Sequence, residues 1–303
     1  MLTGIHFLLT YKCIYECDHC FVYSSPIAEG TFTFNQFCET LDEAEKIGTI
    51  EWIYIEGGEP FLYYPLMIYC INEAAKRGFK TGLVTNAYFA VSEADAERWL
   101  KPLKEININD LSISNDTLHS GEMENSPSVI AVKAAKKLGI NVNTISINEP
   151  GKLCGNASAK GEPVSSGDVM FRGRAADKLA PEFLSNSNSG KQWDSFNECK
   201  FEELIAPERV HIDAYGYVHI CQGISIGNIH REPLQEIIKN YDAYTHPIVK
   251  YILSGGPAIL AEHYKTTHDE YYADACHLCY ETRKQLLQFF PNQLAPKQVY
   301  GIS

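Results

Sequence analysis

The sequence predicts an α/β chain: a partial (β/α)6 barrel over residues 1–180, then a small domain of a β-hairpin plus helix over residues 181–303. Three observations predict it. Short apolar runs alternate with amphipathic stretches about every 30 residues, the pattern of parallel strands joined by right-handed crossovers. Beyond residue 185 that alternation stops and cysteines recur. Cysteine-rich, glycine-rich or polar residues follow or end each of the first four strands, and parallel barrels carry their chemistry on that rim.

Taken in order, Ile5–Thr10 is an apolar run that feeds a cysteine loop and reads as the first strand. A helix over Phe34–Ile47 shows Phe34, Phe37, Leu41 and Ala44 at helical spacing. Trp52–Glu56 is the second strand. The helix over Pro65–Arg77 carries Leu66, Met67, Cys70, Ile71, Ala74 and Ala75 as its stripe. Lys80–Thr85 is the third strand, ending at Asn86, and Ser92 caps a helix reaching Leu100. Leu111–Ser114 is the fourth strand, Ser128–Leu138 a helix closed by Gly139, and Asn141–Ile147 the fifth strand. Residues 149–167 read as a long loop, either a disordered segment or an active-site cover, and hold Cys154. Val169–Phe171 is expected to be the sixth strand. In the tail, Arg209–Asp213 and Tyr217–Cys221 alternate as a hairpin turned at Ala214-Tyr215-Gly216, and a last helix is expected over Glu281–Phe289.

Composition narrows the function. A net charge of −12 without a basic run excludes a partner held by its nucleic-acid backbone. No apolar run approaches the roughly 18 residues that cross a membrane, and the first ten residues lack a signal peptide's basic region and cleavage site. Ten cysteines in such a chain indicate metal or redox chemistry in a reducing cytoplasm.

Cys13, Cys17 and Cys20 stand as C-x3-C-x2-C. Three thiolates on a short loop can hold three irons of a [4Fe–4S] cube and leave the fourth open. A structural zinc wants four ligands, and His19, wedged between Cys17 and Cys20, is poorly placed to join them. Cys199, Cys221, Cys276 and Cys279 form a second set, which suits a closed cube or a four-cysteine zinc site; spacing does not separate the two. Cys38 and Cys70 fall on helix core faces and read as small hydrophobes. His211, Asp213 and His219 are expected on the hairpin's solvent side, and no catalytic acid or base is readable.

The C-x3-C-x2-C loop followed by Gly57-Gly58-Glu59-Pro60 resembles the radical S-adenosylmethionine (SAM) superfamily, whose fold is an open, TIM-like barrel of six strand–helix units. The resemblance implies that Cys13, Cys17 and Cys20 hold a cube whose open iron takes the amino and carboxylate groups of SAM. It places Gly57, Gly58, Glu59 and Pro60 beside the methionine amino group, with Ser112 and Ser114 as ribose-side candidates. His19 stands where the family usually has an aromatic residue near the adenine, and Asn86 matches a Thr-Asn after the third strand. Cys199, Gly216, Cys221 and the late C-x2-C resemble the shortened SPASM domain called twitch, which implies one auxiliary [4Fe–4S] cluster on the four tail cysteines. Arg172-Gly173-Arg174-Ala175 resembles a segment at the junction of the two domains.

The activity so implied is reductive cleavage of SAM to a 5′-deoxyadenosyl radical that abstracts hydrogen from substrate. The auxiliary cluster points to net oxidation or crosslinking. The expected partners are a small polar molecule or a peptide as substrate, and flavodoxin or ferredoxin as reductant. Peptide or protein modification is the alternative to small-molecule dehydrogenation, although a leader-binding domain is not expected ahead of a strand that starts at Ile5. A non-catalytic iron–sulfur or zinc carrier is the remaining class.

Overall fold

In the computed structural model, which describes residues 1–120, 124–151, 160–187 and 190–302, strand β1 (Gly4–Thr10) is buried at all seven positions. That suits a strand covered on both faces. Helix α1 (Phe34–Ile47) starts at Thr33, whose side chain accepts from the Gln36 N–H in a capping box, and it buries Phe37, Leu41 and Ala44 while Phe34 stays largely exposed. Strand β2 (Trp52–Gly57), helix α2 (Tyr64–Lys76), strand β3 (Lys80–Thr85) and helix α3 (Glu93–Ile106) follow. Ser92 caps α3 as expected, but the helix continues through Pro102 to a left-handed Asn107. Then come β4 (Asp110–Ser114), a single turn α4 (Thr117–Ser120), α5 (Pro127–Lys137) and β5 (Val142–Asn148).

The sixth strand, β6, is Ser166–Asp168 rather than Val169–Phe171. Val169 and Phe171 leave the sheet to pack with Ala175, Ala180 and Phe183 of helix α6 (Arg174–Ser187) in a small core of their own. Cys154 and most of its loop lie outside the described residues.

A short strand β7 (Lys191–Gln192) precedes the tail hairpin, β8 (Arg209–Asp213) and β9 (Tyr217–Cys221). An unforeseen strand β10 (Ile224–Asn228) extends it, followed by helices α7 (Leu234–Asn240) and α8 (Val249–Tyr264). Strand β11 (Tyr271–Tyr272) pairs with β7. Helix α9 is Ala275–Leu286, so it begins six residues before the expected Glu281 and takes Cys276 and Cys279 into its first turns. Asp274 caps it, accepting from the His277 N–H at 2.7 Å.

One nine-stranded sheet runs β10-β9-β8-β1-β2-β3-β4-β5-β6. Strands β1 to β6 are parallel to their neighbours, and β8 also adds parallel to β1, with His6 opposite His211 and Leu8 opposite Asp213. The tail hairpin therefore continues the barrel sheet instead of standing apart. Residues of β1 therefore stand beside residues of β8 on the same face of the sheet, as His6 does beside His211.

Candidate active site and cysteine centres

The cysteine loop is held in place by the glycine pair that ends β2. Gly57 has φ +139, and a Cβ there would stand 2.4 Å from the Thr10 carbonyl oxygen. At Gly58 a Cβ would stand 2.1 Å from the Lys12 carbonyl oxygen. The Gly58 N–H donates to Thr10 O at 2.6 Å and the Glu59 N–H to Lys12 O at 2.9 Å. Only glycine permits this approach, and it seats the chain just before Cys13.

Glu59 is fully buried. Its Oε1 accepts from the Phe61 N–H at 3.0 Å and the Thr85 hydroxyl at 2.8 Å, and its Oε2 accepts from the Asn86 N–H at 2.8 Å. Burial pushes its carboxyl up to about 7 against these donors. Glu59 thus ties the end of β2 to the end of β3. Neither Glu59 nor the buried Pro60 lines the cavity beyond, whereas Gly57 and Gly58 do.

That cavity has a volume of about 320 Å³. Cys13, Cys17 and Cys20 line it together with His19, Asn86, Ser112 and Ser114, so the predicted rim residues converge on one space. Backbone N–H groups reach the sulfurs: Tyr15 to Cys13 Sγ at 3.4 Å and Ser24 to Cys20 Sγ at 3.3 Å, with Asn86 Nδ2 3.6 Å from Cys13 Sγ. Burial, then Glu59, pushes Cys13 up to about 11, and burial, then the neighbouring thiols, pushes Cys17 up to about 12. A metal cluster bound here would favour their thiolate form. Three thiols, two of them with N–H donors on sulfur, and open space beyond fit an iron cluster with one unligated corner. His19 packs edge-on to His119, ring centroids 4.3 Å apart, and His119 Nδ1 is 2.9 Å from Asp116. Burial, then the His119 imidazole, lowers His19 to about 3.

The four tail cysteines also converge. Cys199, Cys221, Cys276 and Cys279 line a second, small cavity with Arg172 and Arg283. The Cys221, Cys276 and Cys279 thiols are pushed up by burial. Arg172 donates to Glu202 at 3.0 Å and to Cys221 Sγ at 3.5 Å. Arg283, 2 % exposed, hydrogen-bonds Cys279 O, Gln222 O and the Tyr300 hydroxyl, and among the described residues no carboxylate. A buried cation without a carboxylate is costly unless anions lie close. Four thiolates around a cluster carry the negative charge that Arg283 lacks, so the residues fit an anionic iron–sulfur centre.

The segment Arg172-Gly173-Arg174 joins the two sets. Arg174 donates to Cys17 O at 2.8 Å and Ser24 O at 2.6 Å, clasping the first cysteine loop. Arg172, two residues earlier, lines both cavities. A basic turn in the sequence is in fact the wall between the two centres.

The hairpin residues are not on a solvent face. Asp213 and His219 are fully buried, because the hairpin joins the main sheet. Asp213 accepts from the Tyr11 hydroxyl at 2.9 Å and from the Tyr215 and Tyr217 N–H groups, and stands 3.2 Å from His219 Nε2. It pins the turn after β8 to the end of β1. His211 instead faces the large cavity, where His6, Tyr54, Glu56 and Arg209 also line the wall. These wall residues gave no sequence signal, since they come from strands far apart in the chain.

A parallel sheet carrying an open three-cysteine loop, beside a closed four-cysteine set, matches what comparison with known proteins returns. Residues 7–150 match the radical SAM superfamily and residues 204–280 the SPASM iron–sulfur cluster-binding domain. The chain thus carries a radical SAM domain and a SPASM domain, and these domains imply SAM, a [4Fe–4S] cluster and further iron–sulfur cluster binding. Among individual proteins, it is 31 % identical over 115 residues to the tungsten-containing aldehyde ferredoxin oxidoreductase cofactor-modifying protein of Pyrococcus furiosus, covering 38 % of this chain and 31 % of that protein. It is 32 % identical over 114 residues to the antilisterial bacteriocin subtilosin biosynthesis protein AlbA of Bacillus subtilis, covering 38 % of this chain and 24 % of AlbA. The chain therefore spans about a third or less of the length of these curated relatives. The crystal structure of BtrN in complex with AdoMet and 2-DOIA shares the fold, with a TM-score of 0.52 over 79 % of this chain and 83 % of BtrN at 15 % identity. Among the described residues no helix is long and apolar enough to cross a membrane.

Proposed function

We propose that this chain oxidises or crosslinks its substrate by hydrogen abstraction in the large cavity, with an auxiliary [4Fe–4S] cluster on the tail cysteines receiving the electron. The observation that carries this reading is the shared wall. Arg172, Phe201 and Glu202 line both cavities, so the second cysteine set lies directly behind the space in which the first set opens. In this reading residues 1–180 and 181–303 are the two functional units.

Bound SAM and a reduced cluster supply a 5′-deoxyadenosyl radical. The protein's part is placement. Cys13, Cys17 and Cys20 would hold the cluster after β1, and Gly57 and Gly58, which line the same cavity, would leave room for SAM beside it. Ser112 and Ser114 offer hydroxyls on the same wall, and His19 offers a neutral imidazole face. Asn86 and the Tyr15 and Ser24 N–H groups would stabilise negative charge on the Cys13 and Cys20 sulfurs. Arg172 sets a fixed positive charge between substrate and the auxiliary site. A flavodoxin or ferredoxin serves as the electron donor.

A peptide substrate is the favoured class. AlbA is named for the biosynthesis of a bacteriocin, and its similarity to this chain supports that class over a small polar molecule.

The test is formation of 5′-deoxyadenosine by anaerobically reconstituted, dithionite-reduced protein given SAM. Wild type and a Cys276/Cys279→Ala variant should both form it, and a Cys13/Cys17/Cys20→Ala variant should not. A fully iron-loaded wild type that forms none refutes the assignment.

A further inference from the structure

Three strands of the continuous sheet each send one metal-binding side chain into the large cavity: His6 from β1, Glu56 from β2 and His211 from β8. His6 and His211 stand opposite each other in register, and Glu56 lies one pleat further along the next strand, paired with Leu8. All three side chains project from the same face of the sheet.

We propose that His6, Glu56 and His211 form a site for one divalent transition-metal ion, separate from both cysteine centres. His6 Nδ1 is 3.4 Å from Glu56 Oε2, and His211 Nε2 is 3.0 Å from Glu56 Oε1. Ligands bonded at about 2.0 Å to one tetrahedral zinc stand about 3.3 Å apart, which is the range seen here. The candidate donor atoms lie within 4.8 Å of one another. A metal with bonds of about 2.1 Å spans at most about 4.2 Å between opposite ligands, so a small contraction gathers all three.

The second observation concerns direction. His6 Nδ1 and Glu56 Oε1 are both buried, and among the described residues neither has an aligned hydrogen-bond partner in spite of these short separations. Imidazole and carboxylate groups that met only each other would line up N–H to oxygen. The two His–Glu56 contacts are ion pairs without an aligned N–H bond, which leaves these atoms able to turn to a third. Buried polar atoms left without partners are costly, and a bound cation would remove that cost.

The surroundings permit a positive charge. Arg209, two residues before His211 on β8, and Arg172 also line this cavity; they share Glu202, at 3.7 and 3.0 Å, and Glu162 and Asp168 line the same space. Tyr54 stacks on the His6 ring, centroids 4.7 Å apart, and fixes its plane. Two imidazoles and one carboxylate suit zinc or ferrous iron and leave coordination positions over. Those positions give onto the cavity, where an oxygen or nitrogen donor of a substrate could bind. The site would then anchor substrate rather than carry electrons.

The experiment is equilibrium dialysis of anaerobically reconstituted, cluster-loaded protein against zinc ions, with zinc and iron counted in the same samples. Wild type should take up one zinc per chain beyond its iron content. Glu56→Gln and His211→Ala should each bind zinc at least roughly tenfold more weakly, at unchanged iron. The unchanged iron shows that each variant is folded and that zinc has not entered the cysteine centres. Tyr54→Phe, which keeps all three ligands, should retain the zinc. No zinc uptake by iron-loaded wild type, or equal uptake by Glu56→Gln and His211→Ala, would overturn the proposal.

Discussion

Replacing Gly58 by alanine tests how the cysteine loop is seated. An added Cβ would lie 2.1 Å from the Lys12 carbonyl oxygen and 2.6 Å from its carbon, both backbone atoms that no rotamer change can move. Forcing a methyl into such a contact costs roughly 1–3 kcal/mol. The shift also loosens the bonds from the Gly58 and Glu59 N–H groups to Thr10 and Lys12, each worth about 1 kcal/mol. The total is roughly 3–5 kcal/mol. At about 2 °C per kcal/mol for a chain of this size, the midpoint of thermal unfolding should fall by about 6–10 °C. Gly48 is the control: it has φ +74 and nothing within 4 Å of an added Cβ, so alanine there carries only backbone strain of about 1 kcal/mol. Differential scanning calorimetry under anaerobic conditions reads both variants. The reasoning fails if Gly58→Ala unfolds no earlier than Gly48→Ala.

Other expectations follow from the same geometry. Burial raises Glu59 to about 7 in the folded chain, above the roughly 4.3 of an unfolded glutamate, so the folded state holds this proton more tightly. Its contribution to stability is complete below about pH 4 and is lost as pH rises through about 7. Urea unfolding from pH 5 to 8 should show that decline in wild type and not in Glu59→Gln; parallel curves would contradict it. Arg174→Met removes donors from Cys17 O and Ser24 O and should cost roughly 2–4 kcal/mol. It should lower iron at the first centre in elemental analysis of a Cys276/Cys279→Ala background. Arg283→Met removes a buried cation beside the tail cysteines, so the auxiliary cluster should become harder to reduce. Redox titration followed by electron paramagnetic resonance checks the sign, and a more positive potential would contradict this role of Arg283.

Much of the barrel was legible because its signals are local. Helical stripes such as Met67, Cys70, Ile71 and Ala74 are one-dimensional patterns, and the Ser92 cap needs only its immediate neighbours. The three-cysteine loop was legible for the same reason. The start of α9 was missed although Asp274 stands at its cap position, because C-x2-C reads as loop as readily as helix. The burial of Asp213 and His219 could not be read. Strand alternation tells which residues share a face, not which face meets water, and that depended on the hairpin joining β1. His6, Glu56 and His211 meet only through the sheet order, with about 50 and 150 residues between successive members. The link between the cysteine centres through Arg172 is tertiary in the same sense.

The most direct test of two separate iron–sulfur centres is the iron and acid-labile sulfide content per chain after anaerobic reconstitution. It should be read in wild type, in Cys13/Cys17/Cys20→Ala and in Cys276/Cys279→Ala. The account predicts about eight irons in wild type and about four in each variant. About four irons in wild type, with none left in Cys13/Cys17/Cys20→Ala, would contradict it and leave the tail cysteines to zinc.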